Sequence, residues 1–324
     1  MKLKIKPNSI NLVFMGTSNF AKKILASLLE REYNITAVYT QIDKPVGRKQ
    51  EVIPTPVKHL AQKNKIKVFQ PKKFDKQEIE KLKEISPDLI IVADYGKILP
   101  PEVLEIPTFN CLNVHASLLP KLRGPSPIQN ALWKGKRKTG VTIIIMNENI
   151  DTGDIVSQKE QNISKYDTFL TLEQKLAELG GDLLVQTIPL WINQKIEPRQ
   201  QDESKATLCQ LIERNDGRIF FEKTAKEIYN QYRALYPWPG IFAFWNDRET
   251  LKRIKFIKIS YNKNNPSEKF PLGKVFKEEN TQKIAVQTGQ GIIYLEKVQL
   301  EGKFAFMIEE FINGYPHFIG SILK

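Results

Sequence analysis

The chain has 324 residues, 41% of them apolar, which suffices for one large domain or two ordinary ones with real cores. Its 49 Lys and Arg against 36 Asp and Glu leave a net charge of +13, which favours a polyanionic partner over a neutral one. Two distant cysteines, Cys111 and Cys209, argue against a disulfide framework; His59, His115 and His317 lack zinc-ligand spacing; and no apolar run approaches the roughly 20 residues of a membrane helix, so a cytoplasmic, metal-free protein with no membrane partner is expected.

Near the start, Ile10 to Met15 is a short apolar run broken by Asn11, which reads as a first strand and not as a signal peptide. Strands are expected at Leu12 to Met15, Ile35 to Tyr39, Leu89 to Ala93, Cys111 to Val114 and Val141 to Met146. Helices are expected at Phe20 to Glu32, Pro56 to Asn64, Lys76 to Ile85 and Pro127 to Trp133. This alternation predicts a Rossmann-like, mostly parallel sheet with helices on both faces. Gly16-Thr17-Ser18-Asn19-Phe20 lacks the second and third glycines of a dinucleotide loop, so it reads as a tight turn with Ser18 or Asn19 as the helix cap. Thr40 to Pro54 is long for a strand-to-helix connection and carries Lys44, Arg48 and Lys49.

An amphipathic segment from Asp167 to Asn193 closes a first domain of residues 1–194, and a polar linker of residues 195–210 follows. In the remainder, residues 211–324, a helix near Thr224 to Leu235 precedes the break at Pro237-Trp238-Pro239-Gly240. Then Ile254 to Ile259, Gly273 to Phe276, Ile284 to Thr288 and Gly291 to Val298 read as short strands of a small β-barrel. Lys252, Arg253, Lys255 and Lys258 alternate with Ile254, Phe256 and Ile259, which gives one strand an apolar inner and a basic outer face, suited to phosphates or to plain solvent.

The chemistry concentrates in Asn113-Val114-His115, followed by Ser117 to Pro120, Arg123-Gly124-Pro125 and Asp151-Thr152-Gly153-Asp154. Strand alternation puts Asn113 and His115 on one face with alpha carbons about 6.6 Å apart, room for a one-carbon carbonyl group between them. Amide and imidazole N–H groups can donate to an oxygen gaining negative charge, and a nearby Asp can orient the imidazole or move protons. That set serves acyl transfer without a covalent nucleophile. Cys111 shares the face, but about 13 Å of extended strand separates its alpha carbon from that of His115, too far for a thiol–imidazole pair. Arg123, in a constrained loop, either braces the site or meets an anion.

On Gly16 to Phe20, Asp43 to Arg48, Tyr95 to Pro100, Asn113 to Pro120, Arg123 to Gln129, Thr139 to Thr142 and Asp151 to Asp154, taken in order, the sequence resembles the methionyl-tRNA formyltransferase family. The resemblance implies an OB-like barrel after the linker and transfer of a formyl group from 10-formyltetrahydrofolate to the α-amino group of initiator methionyl-tRNA, by a monomer. It implies Asn113, His115 and Asp151 as catalytic residues. Ser117, Leu118, Leu119, Pro120, Tyr95 and Gly96 would border the folate; Arg48, Lys44, Lys49 and Arg214 would contact tRNA. Asp94 and Pro125-Ser126 depart from the family pattern. The alternative is another 10-formyltetrahydrofolate enzyme, a sugar-nucleotide formyltransferase or a formyltetrahydrofolate hydrolase, which needs neither the Arg48 loop nor a basic barrel.

Overall fold

The computed structural model describes residues 6–46 and 51–324, which pack as two units. The first gathers the described part of residues 1–128 with 138–163 and 171–210, and the second gathers 129–137, 164–170 and 211–324. In chain order the elements up to residue 192 are β1 (Leu12–Gly16), α1 (Asn19–Glu30), β2 (Ile35–Tyr39), β3 (Lys44–Val46), β4 (Glu51–Ile53), α2 (Pro56–Lys63), β5 (Lys67–Phe69) and α3 (Lys76–Ile85). There follow β6 (Leu89–Ala93), α4 (Pro101–Leu104), β7 (Cys111–His115), α5 (Pro127–Trp133), β8 (Lys138–Ile145), β9 (Ile155–Asn162) and α6 (Phe169–Ile192).

The first unit is built on a seven-stranded sheet in the order β5-β2-β1-β6-β7-β8-β9. Strands β5 to β7 are parallel, and β8 and β9 complete the sheet antiparallel. Every residue of β1 and β6 is buried, as it must be where helices cover both faces. Phe14, Tyr39, Ile24 and Leu25 are among the fully buried side chains, each contributing about 1.5–3 kcal/mol relative to exposure. Ser18 caps α1 by accepting from Ala21 N, as the turn chemistry predicts. The strand order runs outward from β1 in both directions, which opens the sheet's crevice beyond the carboxyl ends of β1 and β6, beside the end of β7 at His115.

The Thr40 to Pro54 connection contains a two-stranded hairpin, with β3 and β4 paired Lys44↔Ile53 and Pro45↔Val52. Its root is tied down by Asp43, which accepts from Lys58 Nζ at 2.5 Å and Gln70 Nε2 at 2.8 Å. Arg48 and Lys49 lie outside the described residues.

The second unit holds α7 (Ala225–Leu235), β10 (Ile241–Asp247), β11 (Thr250–Asn262), β12 (Val275–Lys277), β13 (Ile284–Gln287), β14 (Ile292–Leu300), β15 (Ala305–Met307) and α8 (Ile308–Gly314). Its antiparallel sheet runs β10-β11-β14-β13-β12, with β15 added to the second half of β14. The barrel expectation is corrected here: β10 and β12 do not pair with each other. Strand β12 spans only three residues, and the segment 320–324 lies between the two edges. Phe244 and Lys324 exchange two backbone hydrogen bonds at 2.8 Å, while Val275 N donates to Ser321 O and Leu323 N to Gly273 O at 2.9 Å. Trp245, fully buried, packs edge-on against Phe311, Tyr315 and Phe318. Among the described residues no helix is long and apolar enough to cross a membrane.

Candidate active site

Strand β7 pairs with β6 through Val92↔Asn113 and with β8 through His115↔Thr142, which fixes where both site residues stand. Their side chains share a face and converge on one carboxylate. Asn113 Nδ2 donates to Asp151 Oδ1 at 3.2 Å, and His115 Nδ1 lies 3.5 Å from Asp151 Oδ2. On the other side of the ring, His115 Nε2 is 2.9 Å from Leu122 O. A carbonyl oxygen only accepts, so Nε2 carries the hydrogen and Nδ1 is the ring nitrogen turned to Asp151. His115 and Asp151 are 7% and 13% exposed, so these interactions form in a partly desolvated setting where they are stronger than in water.

The turn after β8 that carries Asp151 is held from several directions. Asp151 has φ of 54°, in the left-handed region. Gly124 N donates to Asp151 Oδ2 at 2.8 Å, and Gln201 Nε2 donates to the carbonyls of Asp151 at 2.9 Å and Gly153 at 2.7 Å. Gly153 is required by a close approach, since a Cβ there would stand 1.6 Å from Ile145 O. Gly124, at φ +108°, has no room for one either, with Cys209 O at 2.7 Å. Arg123 resolves as a brace: only 5% exposed, it donates to Gln201 Oε1 and to both carboxylate oxygens of Glu203.

Around the expected donor pocket, the Ser117 to Pro120 loop is locked by Thr142. Its hydroxyl donates to Ser117 O at 2.6 Å and accepts from Leu119 N and Gln158 Nε2. The apolar pair divides, because Leu119 is buried with Ile144 and Ile155 whereas Leu118 is partly exposed. Ser117 Oγ donates to Lys121 O within its own loop. Tyr95 turns its ring into the core, where burial and then the charge of Glu78 push its hydroxyl up, so only its backbone is left to face a ligand. That backbone carbonyl, with Gly96 O, accepts from Gln41 Nε2, and Gln41 Oε1 in turn accepts from Lys44. Asp94 is exposed at φ 41°; Glu173 of α6 is pushed up to about 7, by burial first and then by the charge of Asp94.

Cys111 plays no part in this constellation. Its Sγ lies 3.9 Å from the carbonyls of Val103 and Leu104, and burial pushes the thiol up to about 12. Sequence reasoning missed Gln201, Gln41, the Leu122 carbonyl and the Gly124 amide. None of them has a spacing signature, because each meets its partner across a loop.

In the second unit, α7 buries Gln231, whose Nε2 donates to Asp216 O and Arg218 O and so fixes the turn bearing Arg214 and Arg218. Arg214 is exposed. Arg218 lies over Phe220 at 5.3 Å and Phe244 at 5.5 Å, Lys223 over Phe220 at 5.9 Å, and Arg253 over Phe242 at 5.0 Å. In β11 the apolar residues Ile254, Phe256 and Ile259 are buried, while two of the four cations are in ion pairs. Lys252 is paired with Asp247 and Lys258 with Glu296, and a bulge between Phe256 and Ile259 shifts the alternation. Of the other two cations of the strand, Arg253 lies over a ring and Lys255 Nζ donates to Pro239 O at 3.2 Å.

Residues 8–188 match the formyl transferase family and residues 211–316 match the formyl transferase C-terminal domain. Fold, site and matches together define a formyltransferase. Over 318 residues the chain is 43% identical to a methionyl-tRNA formyltransferase of Caldicellulosiruptor saccharolyticus, spanning 97% of this chain and 100% of that protein. It is 40% identical to a methionyl-tRNA formyltransferase of a Sulfurihydrogenibium species, over 94% of this chain and 97% of that one. The chain belongs to the methionyl-tRNA formyltransferase family. A similar fold occurs in the crystal structure of an N-formyltransferase from Helicobacter canadensis, with folinic acid and dTDP-3-aminofucose bound there (TM-score 0.62, 23% identity, 88% of this chain and 98% of that chain). Another is HypX from Aquifex aeolicus in complex with tetrahydrofolic acid (TM-score 0.64, 16% identity, 96% of this chain and 48% of that chain).

Proposed function

We propose that the enzyme formylates the α-amino group of initiator methionyl-tRNA with 10-formyltetrahydrofolate, and that Asn113, His115 and Asp151 perform the transfer. The observation that carries the reading is the convergence of Asn113 Nδ2 and His115 Nδ1 on the two oxygens of Asp151. An amide nitrogen has two hydrogens, and Asp151 Oδ1 takes one of those on Asn113. The other is free for the formyl oxygen as it becomes an oxyanion under attack by the amine. The expectation that His115 also donates to that oxygen gives way to a different role, since its Nε2–H is committed to Leu122 O. Nδ1 takes the proton released by the attacking amine and becomes part of an imidazolium beside Asp151 Oδ2. It then returns the proton to the departing folate nitrogen as the carbon–nitrogen bond breaks. A new amide bond forms, the donor's bond to the formyl carbon is lost, and the proton count balances.

Leu118, the backbone of Ser117 to Pro120 and the backbone of Tyr95 and Gly96 wall the donor pocket in this reading. Lys44 and Arg214, with Arg48 and Lys49, meet the tRNA. The basic character of the second unit and the full-length likeness to named relatives support a nucleic-acid acceptor. The test is a formylation assay offering charged initiator tRNA, charged elongator methionine tRNA and an amino-sugar nucleotide. Preference for the initiator tRNA is expected, and equal turnover of the sugar nucleotide would overturn it.

A further inference from the structure

Residues 199–209 have the composition of a solvated connector, yet they are laid against both loops that orient the site. Arg199 and Ile155 exchange two backbone hydrogen bonds, at 2.8 and 3.0 Å. Leu122 N donates to Thr207 Oγ1 at 2.9 Å, Arg123 N to Thr207 O at 2.9 Å, and Cys209 N to Arg123 O at 2.8 Å. Leu122 supplies the carbonyl that holds His115, and Gly124 supplies the amide that holds Asp151. At the centre is Gln201. Its Nε2 bonds the carbonyls of Asp151 and Gly153, and its Oε1 accepts from Arg123 Nε at 3.1 Å and Nη2 at 2.8 Å.

We infer that Gln201 is a positioning residue for the transfer, holding Asp151 through the backbone of its turn while Asn113 and Gly124 hold the carboxylate. A non-glycine residue at positive φ is disfavoured and persists only where its surroundings determine it. Gln201 supplies N–H donors to the carbonyls of the strained residue and of Gly153, and it anchors that amide on a buried guanidinium. Only a carboxamide meets both demands. A carboxylate would satisfy Arg123 but set oxygen against two carbonyl oxygens, and an ammonium would satisfy the carbonyls but meet Arg123 charge to charge. The inference rests on the reading that Asp151 takes part in the chemistry.

The experiment compares Gln201→Met and Gln201→Glu in the full chain by single-turnover formylation, each alone and combined with Asp151→Asn, with KM for both substrates and the melting temperature. Each Gln201 variant is expected to lower kcat about 10- to 100-fold, the scale of a small misplacement of reacting groups, with KM changed less than about threefold. Gln201→Glu, which keeps the acceptor for Arg123, should lower the melting temperature no more than Gln201→Met does. In the Asp151→Asn background Gln201→Met should cost less than about twofold, because the group it serves is gone. Wild-type kcat in either variant, or a full repeat of the loss in that background, overturns the inference. If Asp151→Asn alone turns over normally, the reading of the site falls first and this one with it.

Discussion

Around Asp151, Asn113 and the Gly124 amide fix the carboxylate and Gln201 fixes the backbone, inside a partly desolvated pocket. Around Phe242 and Phe244 the polar groups stand differently, with Arg253 and Arg218 laid over ring faces at the surface of an antiparallel sheet. Groups of the first kind cannot reorient without breaking several hydrogen bonds, which suits a transition state of fixed shape. Groups of the second kind can follow a partner's phosphates, and their attraction is screened by salt. In the proposed reading, chemistry and recognition thus rest on different physics in the two units.

The comparison breaks first at the site. Asp151→Asn and Asn113→Ala should each lower kcat by about 100-fold or more, equivalent to about 2.7–4 kcal/mol of transition-state stabilisation. The loss should be the same at low and high salt, and a deficit that salt erases would place these residues in electrostatic recognition. A smaller effect is expected from Arg218→Ala combined with Arg253→Ala. Affinity for tRNA should fall several-fold, with the loss on KM more than on kcat, and the slope of log affinity against log salt should flatten by about 0.9 for each phosphate contact removed. An unchanged salt slope would leave these cations as packing for their rings.

The smallest effect sharpens the comparison inside the second unit, where one acid accepts from two side-chain donors. Hydrogen bonds from Lys252 and His317 keep the Asp247 carboxyl below the usual carboxylate range. Because the folded-state value is depressed, this stabilisation is complete above the ordinary carboxylate range and fades as pH falls through it toward the folded value. Asp247→Asn should lower the melting temperature by a few degrees at neutral pH, with the gap closing on acidification. A gap that persists into strong acid would assign the effect to the seating of the His317 ring on Trp245.

Strands buried on both faces were legible because an unbroken apolar run such as Leu89–Ala93 has few other uses, and helix Lys76–Ile85 stands where its pattern puts it. Strand β9 was hidden because Ile155–Asn162 lies at a sheet edge and spends most of its length on Ser, Gln, Lys and Glu. At three residues, β5 is too short to show a period. Asn113 and His115 are two positions apart on one strand, so their shared face follows from alternation. Gln201 meets Asp151 from fifty positions away, through hydrogen bonds that leave no mark on hydrophobic pattern, and its neighbours Arg199 to Lys205 carry the composition of solvent-facing chain. The open edge between β10 and β12 escaped for a related reason, since backbone pairing by residues 320–324 asks little of side chains.

The two buried thiols make the hold of residues 199–209 measurable on its own. Cys209, 6% exposed, is the last residue of that segment and turns its sulfur inward, 3.1 Å from Arg123 O, whereas Cys111, 1% exposed, is enclosed in the core of the seven-stranded sheet. A disulfide reagent reaches either sulfur only when the structure around it opens, so each labelling rate is the intrinsic rate multiplied by the fraction of time spent open. The chain carries two clocks, one set by the lifting of the segment and one by the opening of the sheet. The interval between them gives the free energy by which the first event is easier than the second, without any substitution in the protein.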